Sequence, residues 1–189
     1  MATRARATVD DVLRLAGEGE RYELVDGELI EMSPTGFGHG YLEWHIASVL
    51  GSHVQKYDLG KVVVGEVLFQ LDRGGRLARA ADVAFVRKER LPTEQAEEKP
   101  FLGPPDLAVE IVSPSDSAEA IQRKVDDWLE HGTVIVLVAY PAQRRLALHR
   151  RGGATLLEGD DDVDLDPALP GFRCKARDLF PASLILPAG

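Results

Sequence analysis

One carboxylate, Glu110, lies inside an apolar run, Asp106 to Val112, whose composition predicts a buried strand. Transferring a charged carboxylate into an apolar core costs several kcal/mol unless the charge is paired or holds a metal ion. The segment PPDLAVEIVSPSD that contains it is therefore the first place to look for chemistry. The structural alternative is that Glu110 pairs with an arginine or accepts hydrogen bonds from backbone amides.

Lys124 is the basic residue that can meet Glu110. Glu110 precedes the strand end by roughly 7 Å, at about 3.3 Å per residue. Lys124 lies roughly 12 Å into the helix predicted from Asp116 to Glu130, at about 1.5 Å per residue. Because helical side chains lean toward the helix N-terminus, the ammonium points back toward Glu110. We expect a contact at the sheet edge, whereas Lys124 considered alone would be typical of a surface lysine.

A second carboxylate, Asp82, directly precedes the apolar residues VAFV. If the two strands are neighbours, Asp82 and Glu110 converge on one divalent cation, with the backbone carbonyl of Ile111 as a third ligand. Mg²⁺ prefers such oxygen ligands and retains waters, and Mn²⁺ is an alternative occupant. With a lysine beside it, the ion could activate water against a phosphodiester. The structural alternative for Asp82 is an aspartate at a strand end that faces solvent.

The first half of the chain must position Asp82. Thr8 begins a capping-box pattern that predicts a short helix through Leu15, and Asp26-Gly27 predicts the turn of a hairpin. Apolar spacing predicts an amphipathic helix from about Gly38 to Gln55. The runs KVVVGEVLFQL and LARAADVAFV, separated by the turn DRGGR, predict a second pair of strands.

The second half must position Glu110 and Lys124. A polar loop is predicted over 87–105, and the strand and helix described above follow it. The run TVIVLVA predicts a further strand, RLALHR and ATLLE predict a meander, and the tail LPGFRCKARDLF predicts a strand and a turn of helix. No boundary divides the chain, so we expect a single mixed α and β domain over residues 1–189.

Composition narrows the class of protein. The chain has 189 residues and a net charge of −9, which argues against an indiscriminate nucleic-acid binder. One cysteine, Cys174, excludes an internal disulfide and a cysteine-based zinc cluster. The sequence shows no secretory signal and no apolar run long enough to cross a bilayer, so we expect a cytoplasmic protein without membrane contact. The acidic run Glu158–Asp166 is predicted to be a solvated loop.

These motifs together resemble the PD-(D/E)XK nuclease superfamily, and more closely its Uma-type restriction endonuclease-like family. The resemblance covers almost the whole chain and is carried by YELVDGEL, MSP followed by His39, Asp82-Val83, PPDLAVEIVSPSD, Lys124 and LPGF. It implies an α/β restriction-endonuclease-like fold. This fold has a mixed central β-sheet flanked by helices, an N-terminal β-hairpin and C-terminal antiparallel strands.

Three departures from the superfamily pattern are visible. The superfamily lysine usually follows the glutamate by two residues, where this chain has Val112; the Uma-type pattern moves it to the following helix, where Lys124 stands. Ala81 replaces the usual proline before the aspartate. VIVLV, over 134–138, replaces a Tyr-Trp pair.

Other candidates are weaker. By resemblance, His39 is the histidine most suited to a functional role, and Glu23 could face the metal site, although both residue types are common on surfaces. Glu66 is another carboxylate in a predicted strand and could act as a further ligand. The remaining histidines are expected at the surface or in packing. Trp44 and Trp128 lie at core spacing in their helices.

The resemblance implies a Mg²⁺-dependent endonuclease that hydrolyses phosphodiester bonds, with DNA as the expected substrate. Asp82 and Glu110 would hold the metal and Lys124 would act on water or phosphate. A homodimer is compatible with cutting two strands. The rival interpretation is a catalytically inactive module on a nuclease fold that binds nucleic acid or protein. A hydrolase of small phosphate esters is a third.

Overall fold

The computed structural model describes residues 6–65, 67–92 and 99–182. Within them the chain forms three α-helices and thirteen strands. In chain order these are α1 (Val9–Gly17), β1 (Tyr22–Val25), β2 (Glu28–Glu31), α2 (Phe37–Tyr57), β3 (Gly60–Val64), β4 (Leu68–Gln70), β5 (Ala78–Ala80), β6 (Val83–Arg87), β7 (Phe101–Leu102), β8 (Leu107–Ile111), α3 (Ala118–Glu130), β9 (Ile135–Tyr140), β10 (Arg145–Arg150), β11 (Gly153–Glu158), β12 (Asp162–Asp164) and β13 (Arg173–Lys175).

A six-stranded mixed sheet, in the order β11-β10-β9-β8-β6-β3, is the centre of the fold. Strands β8 and β9 are parallel and are joined through α3, whereas the other neighbours are antiparallel. A second sheet has the order β2-β1-β5-β4-β7, and β12 pairs with β13. The prediction of a mixed α and β fold with an N-terminal hairpin is confirmed.

The central sheet has one helix on each face. Strand β8 alternates its side chains, so Leu107, Val109 and Ile111 pack with α2 on one face. Ala108 lies on the opposite face with Val125 and Trp128 of α3. Glu110 shares the face of Ala108 by the same alternation, which is why its side chain points toward α3. None of the helices formed by the described residues is both long and apolar enough to span a membrane.

The predicted second pair of strands is wrong in its extent. Each long run is divided between the two sheets: β3 and β6 join the central sheet, whereas β4 and β5 join the other. Gly65 has a positive φ of 80° where the first run breaks, and Asp82 lies in the break of the second. The break between β5 and β6 places Asp82 at the junction of the two sheets.

Two predicted element ends also shift. Helix α3 begins at Ala118 rather than Asp116, because the Ser117 hydroxyl accepts a hydrogen bond from Ala120 N and caps the helix. Asp116 instead accepts from Ser113 N and closes the preceding turn. The predicted polar loop over 87–105 contains a 3₁₀ turn, Lys88–Arg90, and strand β7, while 93–98 lie outside the described residues.

The acidic run is not entirely a loop, because Asp162–Asp164 forms β12 and pairs with β13. Val163 is fully buried there, and basic residues of β13 face the acidic ones across the pair.

Trp44 is likewise not a core residue: it is 59% exposed and stacks on Tyr41, which stacks on Phe37. Trp128 is fully buried, as its spacing predicts.

Candidate active site

Glu110 is held by two side chains of α3. It is 2% exposed. Trp128 Nε1–H donates to its Oε1 (2.7 Å), and Lys124 Nζ donates to its Oε2 (3.2 Å). Because Lys124 and Trp128 are four residues apart, they project from the same side of the helix. The strand–turn–helix segment therefore brings Lys124 to Glu110, the contact that the sequence spacing predicts.

Lys124 also contacts a carboxylate from another part of the chain. Its Nζ lies 3.2 Å from Glu23 Oε1, and Glu23 is 3% exposed on β1. The ammonium thus stands between two buried carboxylates, Glu110 and Glu23. A quarter of the lysine side chain remains exposed, so Lys124 lies at the edge of the buried cluster.

Asp82 lies beside Glu110 at the end of the β6–β8 ladder. Val83 pairs with Val109, so Asp82 and Glu110 stand opposite each other one residue further along. The Asp82 carboxylate accepts from Ile111 N at Oδ2 (2.6 Å). The amide of Ile111 thus faces Asp82, while the predicted metal-binding role of its carbonyl stays a prediction.

His39, near the start of α2, reaches Asp82 from the opposite face of the central sheet. Its Nε2 lies 3.2 Å from Asp82 Oδ1, yet this buried atom has no aligned hydrogen bond. Burial disfavours the charged imidazole, but the nearby Asp82, Glu43 and Asp116 carboxylates outweigh burial and raise the pKa of His39. The contact between His39 and Asp82 therefore links the start of α2 to the break between β5 and β6.

Burial dominates the electrostatics of the pair. Desolvation raises the pKa of Glu110 to about 7, against the opposing charge of Lys124, and the nearby Asp82 and Glu23 carboxylates raise it further. Burial also disfavours the charged lysine, yet the carboxylates of Glu110, Glu23 and Asp82 outweigh it and raise the pKa of Lys124. The lysine therefore stays cationic at neutral pH, while excess negative charge remains around Glu110.

Two residues of this cluster were not anticipated from the sequence. Arg79 of β5 donates to Glu23 Oε2 through Nη1 (2.8 Å) and to Asp127 Oδ2 through Nε (2.8 Å). Arg79 alternates with alanines in a short strand, and Asp127 lies on a helix rich in acidic residues. Neither pattern distinguishes them from surface residues, so only the three-dimensional contact identifies them.

The cluster contains more carboxylates than permanent cations. The four carboxylates (Glu23, Asp82, Glu110 and Asp127) face two permanent cations, Arg79 and Lys124. Over the described ranges, no three His, Cys, Asp or Glu side chains are grouped so that they could hold a metal ion. The predicted ligand set has two carboxylates and a carbonyl, so it does not require such a group.

Other predicted candidates lie elsewhere. Glu66 is outside the described residues. His45 Nε2 donates to the Asp178 carbonyl (2.9 Å), and His53 Nε2 donates to the Pro170 carbonyl (2.9 Å). The other two histidines take no part in the cluster: His131 Nδ1 bonds the Asp127 carbonyl (2.8 Å), and burial lowers the pKa of His149.

Comparison with known proteins identifies the family of this chain. The model of the Uma2 family, described as "Putative restriction endonuclease", matches residues 9–177. The chain belongs to this family. Among curated proteins no match is found.

Among solved structures, the chain is similar to the crystal structure of a putative nuclease belonging to DUF820 from Anabaena variabilis ATCC 29413. The TM-score is 0.78 at 21% identity, over 92% of this chain and 97% of that chain. Likeness at this identity shows the fold. The prediction of a restriction-endonuclease-like α/β fold is confirmed, as is the predicted family.

Proposed function

We propose that this Uma2 family member is a metal-dependent endonuclease that hydrolyses phosphodiester bonds of DNA. The observation that carries the proposal is the contact of Lys124 with Glu110 beside Asp82. These residue types suit metal-assisted phosphodiester hydrolysis, in which carboxylates hold a divalent cation and a fixed positive charge stabilises the phosphate. The family description and the nuclease fold support the same class of reaction.

Each side chain has a distinct proposed role. Asp82 and Glu110, with the Ile111 carbonyl, would hold Mg²⁺ or Mn²⁺. When bound, such an ion polarises a phosphoryl oxygen and lowers the pKa of a bound water. Lys124 is the proposed catalytic cation, because its raised pKa keeps it charged where negative charge develops on the phosphate. Trp128 fixes the Glu110 carboxylate through the indole N–H.

The second candidate function is a catalytically inactive module that binds nucleic acid or protein. The specific observation in its favour is that the Lys124 ammonium itself lies between Glu110 and Glu23, at 3.2 Å from each, and so supplies a cation to both carboxylates. A site that has lost its metal could persist in this form, since the buried charges would still be partly neutralised. The predicted homodimer and the cytoplasmic location stay predictions under either function.

A plasmid-nicking assay with Mg²⁺ or Mn²⁺ tests the first function. We expect nicking by the wild type and a loss of at least about 100-fold in Asp82→Asn, Glu110→Gln and Lys124→Met. Glu119→Gln and Arg123→Met are matched controls, because these exposed residues lie on the same helix as Lys124 and pair with each other. Nicking at the wild-type rate in Glu110→Gln and Asp82→Asn would refute the assignment.

Calorimetric titration separates the two candidates. A nuclease of this design should bind Mg²⁺ or Mn²⁺ with a heat that disappears in Glu110→Gln and persists in Glu119→Gln. An inactive module should show no stoichiometric heat that depends on Glu110. A hydrolase of small phosphate esters would bind metal but act on model esters and leave the plasmid intact.

A further inference from the structure

Arg79 is almost entirely buried between the β1–β2 hairpin and α3, with 5% of its side chain exposed. Its Nη1 donates to Glu23 Oε2 (2.8 Å), while its Nε and Nη2 donate to Asp127 Oδ2 (2.8 and 2.5 Å). One guanidinium therefore connects three elements that are distant in sequence: β1, β5 and α3. The planar fork of arginine suits this bridging geometry better than a lysine would.

Of the two carboxylates that Arg79 holds, Glu23 contacts Lys124 and Asp127 lies on the same helix as Lys124. Glu23 presents its other oxygen, Oε1, to Lys124 Nζ at 3.2 Å and also accepts from Ala80 N (3.0 Å). Asp127 follows Lys124 by three residues, so the two project from neighbouring turns of α3. Arg79 thus contacts Glu23, which competes with Glu110 for Lys124, and it also contacts α3, the helix that contains Lys124.

We propose that Arg79 is a positioning residue that keeps Lys124 on Glu110. The lysine comes from α3 and the glutamate from β8, so their contact depends on the placement of α3 and on how strongly Glu23 attracts the ammonium. Arg79 fixes α3 to β5 through Asp127 and neutralises part of the Glu23 charge. The catalytic consequence rests on the proposed function, whereas the positioning itself is measurable without activity.

Removing Arg79 changes both constraints together. Glu23 becomes a buried carboxylate whose nearest remaining cation is Lys124, so the ammonium is drawn toward Glu23 and away from Glu110. Asp127 loses its partner, and α3 loses its link to β5. The flexible lysine stem allows such a movement without a change of fold.

Trp128 provides a direct readout. The chain has two tryptophans, so a ¹H–¹⁵N spectrum contains two indole signals. Trp128 Nε1–H bonds to Glu110 Oε1 and reports on the charge of that carboxylate, whereas the exposed Trp44 is an internal reference. Lys124→Met gives the signal position for Glu110 without its lysine.

We expect Arg79→Met and Asp127→Asn to move the Trp128 signal toward its position in Lys124→Met, with a smaller movement in Arg79→Lys and none for Trp44. The Asp127→Asn variant keeps Arg79 and its bond to Glu23. This variant therefore tests the proposal even if Arg79→Met does not fold. Arg87→Met is the matched control. Arg87 Nε also donates to a buried carboxylate, Asp106 Oδ1 (2.6 Å), which directly precedes β8. The Arg87→Met variant should lose stability without moving the Trp128 signal.

In nicking assays, we expect Arg79→Lys to lower kcat by about tenfold with KM unchanged, because a displaced lysine affects chemistry rather than DNA binding. A Trp128 signal that stays at its wild-type position in Asp127→Asn and in folded Arg79 variants overturns the proposal. The proposal is also overturned if the Trp128 signal of Lys124→Met stays at its wild-type position. If the wild type does not nick DNA, the proposed function fails while the indole result still decides the positioning role.

Discussion

Two clusters of this protein pair acidic with basic side chains, and they differ in burial. The site cluster consists of Glu23, Arg79, Asp82, Glu110, Lys124 and Asp127. The C-terminal ion pairs are Asp160–Arg177, Asp162–Lys175, Asp164–Arg173 and Asp166–Arg173.

The side chains of Glu23, Arg79 and Glu110 are at most 5% exposed, whereas the side chains of every C-terminal pair are at least 40% exposed.

The two clusters also differ in what shifts the pKa of Glu110 and of Lys175. Desolvation raises the pKa of Glu110 to about 7 in spite of a lysine at 3.2 Å. The pKa of Lys175 is raised mainly by its hydrogen bond to Asp162, but a lysine already charged at neutral pH gains no new behaviour from this shift. Burial thus brings the pKa of one carboxyl in the site cluster, Glu110, close to neutral pH.

The largest expected effect comes from removing a buried cation. Lys124→Met leaves Glu110 and Glu23 without their shared partner, so the free energy of unfolding should fall by about 3–5 kcal/mol at pH 7. Urea unfolding measures it. The matched exposed variant, Lys175→Met, should leave the midpoint nearly unchanged. Equal losses in the two variants would contradict the distinction between the clusters.

The pH dependence of stability is the second test. The pKa of Glu110 lies at about 7 in the folded protein, above its ordinary value of 4.5, so the folded state binds this proton more tightly than the unfolded chain. This proton therefore adds about 3 kcal/mol to the free energy of unfolding below about pH 4.5. The contribution is lost as the pH rises to about 7. Glu110→Gln should remove this slope in urea titrations performed across the window.

An exposed aspartate should behave in the opposite way. The pKa of Asp166 is lowered, chiefly by the hydrogen bond from Gly171 N, so its contribution is present above its unfolded pKa and lost in acid. Asp166→Asn should therefore alter the stability profile only below about pH 4. A changed slope between pH 5 and 7 in Asp166→Asn would show that the window does not belong to Glu110.

A smaller loss is expected from the neutral hydrogen-bond donor of the site cluster. Trp128→Phe removes the indole N–H and leaves Glu110 Oε1 without that bond, which should cost about 1–3 kcal/mol. Trp44→Phe is the control at an exposed position. If both substitutions shift the urea midpoint equally, the hydrogen bond from Trp128 to Glu110 makes no contribution to stability of its own.

The smallest effect is expected at the C-terminal ion pairs. Arg173→Gln removes contacts to Asp164 and Asp166, and the slight fall in melting temperature should disappear in about 0.5 M salt. The loss in Lys124→Met should persist at that salt concentration, because buried charges are screened much less. A salt-independent loss in Arg173→Gln would mean that these pairs act through packing.

The sequence predicts the local half of the candidate site. Glu110, Lys124 and the turn between them belong to one strand–turn–helix segment, so rises per residue and side-chain direction are enough to predict their contact. Asp82 requires in addition that two strands be neighbours, and the family resemblance supplies that information. Their catalytic roles stay predictions.

The nonlocal half could not be predicted in the same way. Arg79 reaches Glu23 and Asp127 across 56 and 48 residues of sequence, and no periodic pattern encodes such a contact. The division of two long apolar runs into four strands was missed because alternation specifies a strand but not the sheet it joins. Strand β12 was missed because aspartates disfavour strands in isolation, and the burial of Val163 overrides that preference.

The hairpin β1–β2 joins the second sheet through one register pair, Leu24 with Ala78. Next to the site it is attached through Glu23, which bonds Arg79 and the amide of Ala80, and at its turn Gly27 N–H donates to the Arg76 carbonyl (2.9 Å). Loop closure between Glu110 and Lys124 spans only 14 residues and has a low entropic cost. We therefore expect hydrogen exchange to separate the hairpin from the β8–α3 segment, because Glu23 belongs to the hairpin whereas Glu110 and Lys124 do not.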